Sequence, residues 1–125
     1  MTVIAVPFLI GEPMLGLDVL VPHATLDPEL PASRPIERMA VLYDRLAALV
    51  AEAPNPVVNA GDCLSIMGVA GGLQRRGVDP TVLFFDAHGD FHTWETTQSG
   101  FLGGMPLAML TGRGEQAIID GVIAR

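Results

Sequence analysis

The residues best suited to chemistry form one short run in the second half of the sequence. Asp86, His88 and Asp90 are separated by single residues and directly follow the apolar stretch 81–85. If the chain there is still partly extended, all three side chains lie on one side of it. Two carboxylates and an imidazole favour Mn²⁺ and similar divalent ions. The run therefore predicts a metal site. In the alternative interpretation Asp86 caps the next turn, His88 packs under the loop and Asp90 faces water.

A pair of metal ions would need more ligands than this run supplies. Ions held about 3.5–4 Å apart usually share bridging carboxylates and have several terminal ligands as well. At least one more acidic group must therefore come from elsewhere. The loop acids Asp18 and Glu95 could attract a cation, although solvated surface acids are the more common outcome.

Strands and helices alternate along the part of the chain that must position this run. Short apolar stretches predict buried strands at 3–10, 57–60 and 81–85. Apolar residues at three- and four-residue steps predict a helix over 35–53, and 64–76 predicts a second one. This order is typical of βαβ units, so we expect a parallel sheet with helices on both faces. The reactive run would then lie at the carboxyl end of the third strand, where ligands bind.

The remaining segments are less regular. The stretch 11–35 contains repeated prolines and no steady period, which predicts a long loop without a helix or a central strand. A loop of that length usually lines a site or an interface. Further along, 103–110 predicts a helix, and 115–125 has apolar residues at helical spacing.

The composition describes an acidic globular chain. Its 125 residues include 14 Asp and Glu against 7 Lys and Arg, which gives a formal net charge of −7. This length fits one domain, 1–125. Nucleic acid is excluded as a partner because its binding proteins concentrate Lys and Arg, which are few and scattered here.

Several features indicate a cytoplasmic protein without a membrane segment. Prolines and charges interrupt every apolar stretch before the roughly 18–20 residues of a membrane span. The first residues lack the basic and apolar segments of a secretory signal. A single cysteine, Cys63, excludes an internal disulfide and fits a reducing compartment.

The segment around the reactive run resembles a known family. The stretches 86–93, 96–100 and 103–108 resemble the central motif of the ureohydrolase superfamily, which contains arginases, agmatinases and formiminoglutamases. Upstream, Gly61-Asp62-Cys63 is similar to the glycine, aspartate, histidine signature of that family. The resemblance is close over 61–110 and looser before it. It implies a three-layer α/β/α fold with a parallel sheet, incomplete at this length.

The resemblance also implies a reaction. Family members hydrolyse linear C–N bonds of small cationic guanidino, amidino or formimino substrates with a hydroxide that bridges two manganese ions. By similarity Asp86 would bridge the ions, Asp90 would join it on one of them and His88 would bind the other. Because metal-bound water ionises near neutral pH, no side-chain base is needed, and we assign no separate catalytic residue.

Three positions depart from the arginase pattern. Cys63 stands where the family has a metal-binding histidine. A thiolate there would favour Zn²⁺ or Fe²⁺ over Mn²⁺, although a lone buried cysteine is more often an apolar filler. Gly103 replaces a histidine that shuttles protons, and Phe101 replaces an asparagine that contacts the amino-acid carboxylate. We therefore expect a substrate other than L-arginine.

Two further positions match substrate contacts of the family. His92 falls where a substrate-binding asparagine lies, and Ser99 matches a serine that contacts the substrate carboxylate. The alternatives are a solvent-exposed loop histidine and an ordinary turn residue before Gly100. His23, among prolines, receives no functional assignment.

The second metal motif of the family, a serine and spaced aspartates before a proline, has no counterpart after Arg113. Only Glu115 and Asp120 remain as acids there, without the required spacing. The ligand count and the resemblance both indicate an incomplete site, and apolar faces would lack cover. We expect a homo-oligomer or a missing C-terminal half.

Two other functions are compatible with these residues. One is a non-catalytic arginase-like binding or assembly module, suggested by Cys63, Gly103 and the absent second motif. The other is a calcineurin-like metallophosphatase, whose sites also combine Asp and His at strand ends. The second is less favoured, because no glycine, asparagine, histidine group follows.

Overall fold

The structure is a computed structural model that describes residues 1–17 and 19–123. Five strands are present in this part, namely β1 (Thr2–Val6), β2 (Phe8–Leu9), β3 (Glu12–Pro13), β4 (Ala24–Thr25) and β5 (Pro56–Ala60). The α-helices are α1 (Pro35–Glu52), α2 (Ile66–Arg75), α3 (Pro106–Leu110) and α4 (Gln116–Val122), and short 3-10 turns form at Cys63–Ser65 and Leu102–Gly104.

Strand β1 is the centre of a three-stranded parallel sheet with the order β4-β1-β5. β1 and β5 pair along their whole length, from Thr2 with Pro56 to Val6 with Ala60. β4 adds two residues to the other side of β1, and the β2–β3 pair is antiparallel. The segment predicted as a loop, 11–35, therefore contains two very short strands, β3 and β4. Both lie at the edge of a sheet, which is where proline-rich segments can form strands.

The strand predicted over 3–10 ends early, at Val6. Pro7 lacks the N–H group that a longer strand would need, and the chain then turns through Ile10 and Gly11, whose φ angles are 48° and 75°. This turn sends the chain back as β3. The predictions for the first helix and for the strand at 57–60 are confirmed to within a residue or two.

One apolar core joins β1 to all four helices. The apolar stripe of α1 is buried, as its spacing predicts, and it packs against α2 through residues without side chains. A Cβ atom at Gly68 would lie 2.7 Å from a methyl carbon of Leu46, and one at Gly72 would lie 2.6 Å from Cβ of Val50. Glycine is therefore required where α1 and α2 cross.

The strand predicted at 81–85 does not form. The segment has no regular structure, and Leu83 and Phe85 are 78% and 93% exposed. Phe84 and Phe85 lie beside Val58 of β5 without pairing with it in the sheet. An apolar stretch becomes a buried strand only where its backbone pairs with a neighbour and its side chains are covered. Among the described residues, 81–85 forms no ladder with the open edge of β5, and Leu83 and Phe85 stay uncovered.

The last predicted helices form in shortened versions. The helix expected at 103–110 begins at Pro106, because Gly103 and Gly104 belong to a 3-10 turn and proline suits a first helical position. The segment 115–125 forms α4 from Gln116 to Val122. Across 1–17 and 19–123, no helix has the length and apolar character needed to cross a membrane.

Candidate metal centre

Three potential metal ligands from two loops lie close together. One donor atom each of Cys63, Asp86 and Asp90 lies within 4.8 Å of the other two. The Sγ atom of Cys63 is 3.6 Å from Oδ2 of Asp86, which suits an S–H···O hydrogen bond. Cys63 comes from the 3-10 turn after β5, whereas both aspartates belong to the irregular segment that follows residue 85. The structure thus brings together three of the four residues predicted to bind metal.

Asp62 fixes the loop that carries the cysteine. Its carboxylate accepts hydrogen bonds from the backbone N–H groups of Ile10 (2.7 Å) and Ser65 (3.2 Å) and from the Tyr43 hydroxyl (3.3 Å). Burial, together with the charge of Asp62, raises the pKa of Tyr43 far above its usual value, so the phenol stays a donor. Three elements therefore meet at one carboxylate, which caps the 3-10 turn.

Sequence reasoning noted Asp62 only as part of the family-like signature and missed this positioning role. A signal for this role was available in the sequence. An aspartate directly before a helical turn commonly accepts a hydrogen bond from the backbone N–H three residues later, as Asp62 does from Ser65. The hydrogen bond between Asp62 and Ile10 joins residues 52 positions apart, so no local sequence pattern indicates it.

Asp90 is the buried member of the cluster. It is 6% exposed, and its backbone has a φ of 45°, in the left-handed region that aspartate tolerates better than most residues. Its carbonyl oxygen accepts from the N–H groups of Leu107 (2.9 Å) and Ala108 (3.3 Å) at the start of α3. Helix α3 therefore anchors the backbone of Asp90.

The two carboxyl groups have opposite electrostatic environments. The backbone N–H of His88 donates to Asp86 (2.9 Å) and lowers the pKa of that carboxyl. Burial, and then the charge of Asp86, raises the pKa of Asp90. Burial also raises the pKa of the Cys63 thiol, with a further contribution from its bond to Asp86. A cation beside these groups would oppose the repulsion that disfavours their charged forms.

His88 lies at the solvent side of the cluster. Its Nδ1 atom is 3.2 Å from Oδ1 of Asp86, and its side chain is 82% exposed. It does not share the 4.8 Å grouping, because the chain bends at 87–88 and Asp90 is left-handed, so the run is not the extended chain expected from its spacing. Its role as a metal ligand stays a prediction.

The cluster lies in a cavity of about 630 Å³. Three aspartates and two phenylalanines belong to its wall, which is formed by Asp62, Cys63, Asp86, His88, Gly89, Asp90, Phe91, His92, Phe101, Gly103 and Gly104. In the described part of the chain, no Lys or Arg belongs to this wall. The cavity therefore favours a cation over an anion.

The predicted substrate-binding residues differ in their relation to this cavity. His92 belongs to the wall, where its Nδ1 atom lies 3.2 Å from the Thr96 hydroxyl. Ser99 is exposed and outside the wall, and its hydroxyl accepts from the backbone N–H of Phe101 at 3.2 Å. Glu95 lines a separate cavity, and Asp18 lies outside the described residues.

Comparison with known proteins identifies the family. A model of the arginase family matches residues 17–123. The chain belongs to the arginase family. It is 33% identical over 79 residues to an arginase from Bacillus subtilis, an alignment that covers 63% of this chain and 27% of that protein. The predicted membership of the ureohydrolase superfamily is confirmed.

Solved arginase structures extend this similarity to the fold. The native arginase from Bacillus caldovelox matches with a TM-score of 0.78 and 25% identity, over 98% of this chain and 52% of that one. An arginase from Entamoeba histolytica in complex with L-ornithine matches with a TM-score of 0.69 and 26% identity, over 98% and 53% of the two chains. The predicted arginase-like α/β fold is confirmed, and the chain spans about half of these structures.

The donor atoms of this arginase-family chain fit a divalent cation. Two carboxylates are hard oxygen donors of the kind that Mn²⁺ binds, and the third donor is a softer sulfur. The family match does not favour the calcineurin-like alternative. The three clustered donors include too few carboxylates for a pair of ions.

Proposed function

We propose that this chain contributes the first set of ligands to a metal-dependent hydrolase centre that acts on linear C–N bonds. The substrates would be guanidino, amidino or formimino compounds. The observation that supports the proposal is the approach of Cys63, Asp86 and Asp90 within 4.8 Å, inside a cavity of an arginase-family fold. A complete site would hold two Mn²⁺ ions, with another divalent metal as the alternative.

Each residue of the cluster has a distinct part in this proposal. Asp86 would contact both ions and Asp90 one of them, while His88 would complete the other from the solvent side. Asp62 is a positioning residue, since it fixes the turn that carries Cys63. The ions, when bound, would acidify water and so supply a nucleophile near neutral pH.

The wall of the cavity supports a cationic substrate. Its carboxylates would attract a guanidinium or amidinium group, and the rings of Phe91 and Phe101 would offer faces for cation–π contact. An amino-acid-like ligand is supported by the relative that was solved with L-ornithine. His92 would contact the substrate from the wall, whereas Ser99 lies outside it, and its contact with substrate stays a prediction.

The exposed segment 81–85 supports the proposal that this half of the site needs a complement. Val82, Leu83 and Phe85 present apolar side chains to solvent next to the edge of the sheet. An exposed apolar segment beside an open sheet edge is usually covered by another strand or another chain. We propose that a C-terminal half or a second copy covers the segment and supplies the remaining carboxylates, in the cytoplasm, and that the 125-residue chain alone is inactive or incomplete.

Metal analysis tests the proposal directly. The assembled protein, with the C-terminal half or second copy that completes the site, is dialysed against Mn²⁺ and its bound metal is measured. Release of urea or ammonia from guanidino, amidino and formimino compounds is followed in the same samples. We expect metal binding by the wild type and none by Asp86→Ala, because the bridging carboxylate would serve both ions. No bound metal at millimolar Mn²⁺, or unchanged metal content in Asp86→Ala, would overturn the proposal.

The non-catalytic alternative makes a different prediction for the same samples. Cys63 and Gly103 both depart from the pattern of the catalytic relatives, which is the reason to consider it. An assembled protein that binds metal but hydrolyses none of the three compound classes would favour a binding or assembly module.

A further inference from the structure

A second cavity, of about 590 Å³, lies beside the candidate metal centre. Its wall is formed by residues of two segments, 91–96 and 113–116. Phe91 belongs to the walls of both cavities. In addition, Nδ1 of His92 in the metal cavity lies 3.2 Å from the hydroxyl of Thr96 in the second wall. The two cavities are therefore neighbours, and one extended ligand could occupy both.

The second cavity contains a positive charge that the metal cavity lacks. Among the described residues, Arg113 is the one Lys or Arg in the walls of the two cavities. Its guanidinium group has no hydrogen bond or ion pair with any residue of 1–17 or 19–123. By contrast, Arg34, Arg38 and Arg75 each pair with an acidic side chain. An unpaired guanidinium in a cavity is available to an anion, and its planar donors match a carboxylate in a bidentate arrangement.

Glu95 supplies the opposite charge in the same wall. A hydrogen bond with the Thr93 side chain lowers the pKa of Glu95, so its carboxylate is charged at neutral pH. In the described structure Glu95 and Arg113 form no ion pair with each other. A cavity whose cation and anion do not neutralise each other is complementary to a ligand that carries both charges, such as the ammonium and carboxylate groups of an α-amino acid.

Hydrogen bonds hold the two segments of the wall next to these charges. The indole N–H of Trp94 donates to the carboxylate of Glu115 (3.0 Å), which joins one segment to the other. Within the first segment, the Thr96 hydroxyl accepts from the backbone N–H of Thr93 (2.9 Å). The backbone around both charged side chains is therefore positioned before a ligand binds, as in preorganised sites.

We propose that Arg113 binds the α-carboxylate and Glu95 the α-ammonium group of an amino-acid substrate whose far end reaches the metal cavity past Phe91. The inference rests on the proposed function and names its substrate class, a guanidino or amidino amino acid. Within the described residues the metal cavity has no Lys or Arg in its wall, so the carboxylate is better matched in the second cavity. Arg113 and Glu95 would determine specificity and take no part in the chemistry at the metal.

Fluorescence provides the test, because Trp94 is the only tryptophan of the chain and its indole bridges the two segments of the wall. The full chain, with a chelator present, is titrated with three ligands that share one amine end. These are L-ornithine, 5-aminopentanoate, which lacks the α-ammonium group, and 1,4-diaminobutane, which lacks the α-carboxylate. We expect L-ornithine to bind most tightly. Equal affinity for L-ornithine and 1,4-diaminobutane, or no binding of L-ornithine, would contradict the proposal.

Titration calorimetry on the same samples gives the three affinities should the fluorescence of Trp94 not respond to binding.

Arg113→Gln is the variant that probes the carboxylate contact. It should lower the affinity for L-ornithine and for 5-aminopentanoate roughly tenfold or more, because hydrogen bonds between charged groups are the strong ones. The affinity for 1,4-diaminobutane should not fall. Since the Arg113 side chain is exposed and has no partner among the described residues, the variant should keep the urea midpoint of the wild type.

Arg45→Gln is the matched control. Arg45 is also exposed, and it lies on α1 outside the walls of both cavities, so its removal changes the net charge equally without touching the proposed site. This variant should bind all three ligands as the wild type does. Equal losses in Arg113→Gln and Arg45→Gln would show a general effect of charge and would overturn the proposal.

Glu95→Gln probes the ammonium contact. It should weaken binding of L-ornithine and 1,4-diaminobutane, which both carry the amine, and leave 5-aminopentanoate unchanged. A uniform loss across the three ligands would contradict the role given to Glu95.

Because these titrations need no metal, their outcome is separate from that of the proposed function. If the assembled protein binds metal and hydrolyses an amidine, but Arg113→Gln retains the wild-type affinity for L-ornithine, the amino-acid site is wrong and the metal-dependent function stands. If no metal binds, but Arg113→Gln loses the selectivity for L-ornithine over 1,4-diaminobutane, the amino-acid site stands and the metal-dependent function fails.

Discussion

The crossing of α1 and α2 and the segment 81–91 represent two different ways in which this chain places its apolar and polar groups. At the crossing, Leu46 and Val50 are fully buried against glycines of the neighbouring helix. In the segment, Leu83 and Phe85 are exposed, and the first regular structure after it is the turn at Leu102–Gly104. The contrast suggests that the stability of the described fold comes from the crossing, whereas the candidate site depends on a few specific bonds.

Those bonds connect the two regions. Asp62 links the turn of Cys63 to Tyr43 of α1, and α3 links the backbone of Asp90 to the core. The cluster is thus held from the core side and open on the other. An assembled protein would need to supply only the solvent side of the site, which is where His88 lies.

Leu46→Ala should have the largest effect on stability. The side chain is fully buried and contacts α2 at Gly68, so its removal leaves a cavity at the crossing. We expect the free energy of unfolding to fall by about 2–5 kcal/mol. Urea denaturation followed by circular dichroism measures the change.

Phe85→Ala is the matched control for that prediction. Because the ring is almost wholly exposed, we expect a change within about 0.5 kcal/mol in the isolated chain. A loss comparable to that of Leu46→Ala would show that the ring is covered in solution and would remove the contrast between the two regions.

Asp62→Ala should weaken the connection between the regions. It leaves four donors without their acceptor: the N–H groups of Ile10 and Ser65 and the hydroxyl groups of Ser65 and Tyr43. We expect a loss of about 2–4 kcal/mol, because each such bond contributes about 1 kcal/mol. Tyr43→Phe removes one bond and should cost about 1 kcal/mol. Equal losses for the two variants would mean that the backbone bonds of Asp62 contribute nothing.

The helical half of the fold could be predicted because its signals are local. The stripe of α1 repeats every three or four residues, and Pro35 and Pro54 mark its ends. The segment 81–85 could not be predicted in the same way, because its apolar residues do not reveal whether a neighbouring strand is available. Burial of a strand is a property of the sheet and its partners.

The site was predictable in its members and not in its geometry. Spacing and residue type selected Asp86 and Asp90, and the family resemblance selected Cys63. The sequence did not predict that Asp90 takes a left-handed backbone, or that His88 contacts Asp86 but lies outside the mutual 4.8 Å grouping. Nor did it predict that Asp62 bonds to Ile10, since that contact joins residues far apart in the chain.

Asp90→Asn should change how the free energy of unfolding depends on pH. We expect this change to be smaller than the loss of stability in Asp62→Ala. The pKa of Asp90 is raised in the folded state, so folding favours its protonated form. Its charge therefore destabilises the metal-free protein near neutral pH, and this penalty disappears as the pH falls through the raised pKa. The amide variant should be more stable than the wild type at neutral pH, with a difference that vanishes on acidification.

Urea midpoints of both proteins across a pH series, with a chelator present, measure this difference. Asp86→Asn is the control with the opposite sign: the pKa of Asp86 is lowered, so its contribution to stability is present near neutral pH and lost on acidification. A wild-type midpoint above that of Asp90→Asn at neutral pH would mean that the buried carboxylate is stabilised by a partner other than the cluster.

Gly103→Ala should have the smallest effect on stability and a larger one on the cavity. A Cβ atom at this position would collide with the ring of Phe101, but that ring is 58% exposed and can move, so we expect a change within about 0.5 kcal/mol. The displaced ring would alter the aromatic wall on which the proposed cation–π contact depends. The affinity of the assembled, metal-loaded protein for a guanidinium compound should therefore change, while the free energy of unfolding stays the same. A fall in stability near that of Leu46→Ala would show that Phe101 belongs to the core region and not to the open side of the site.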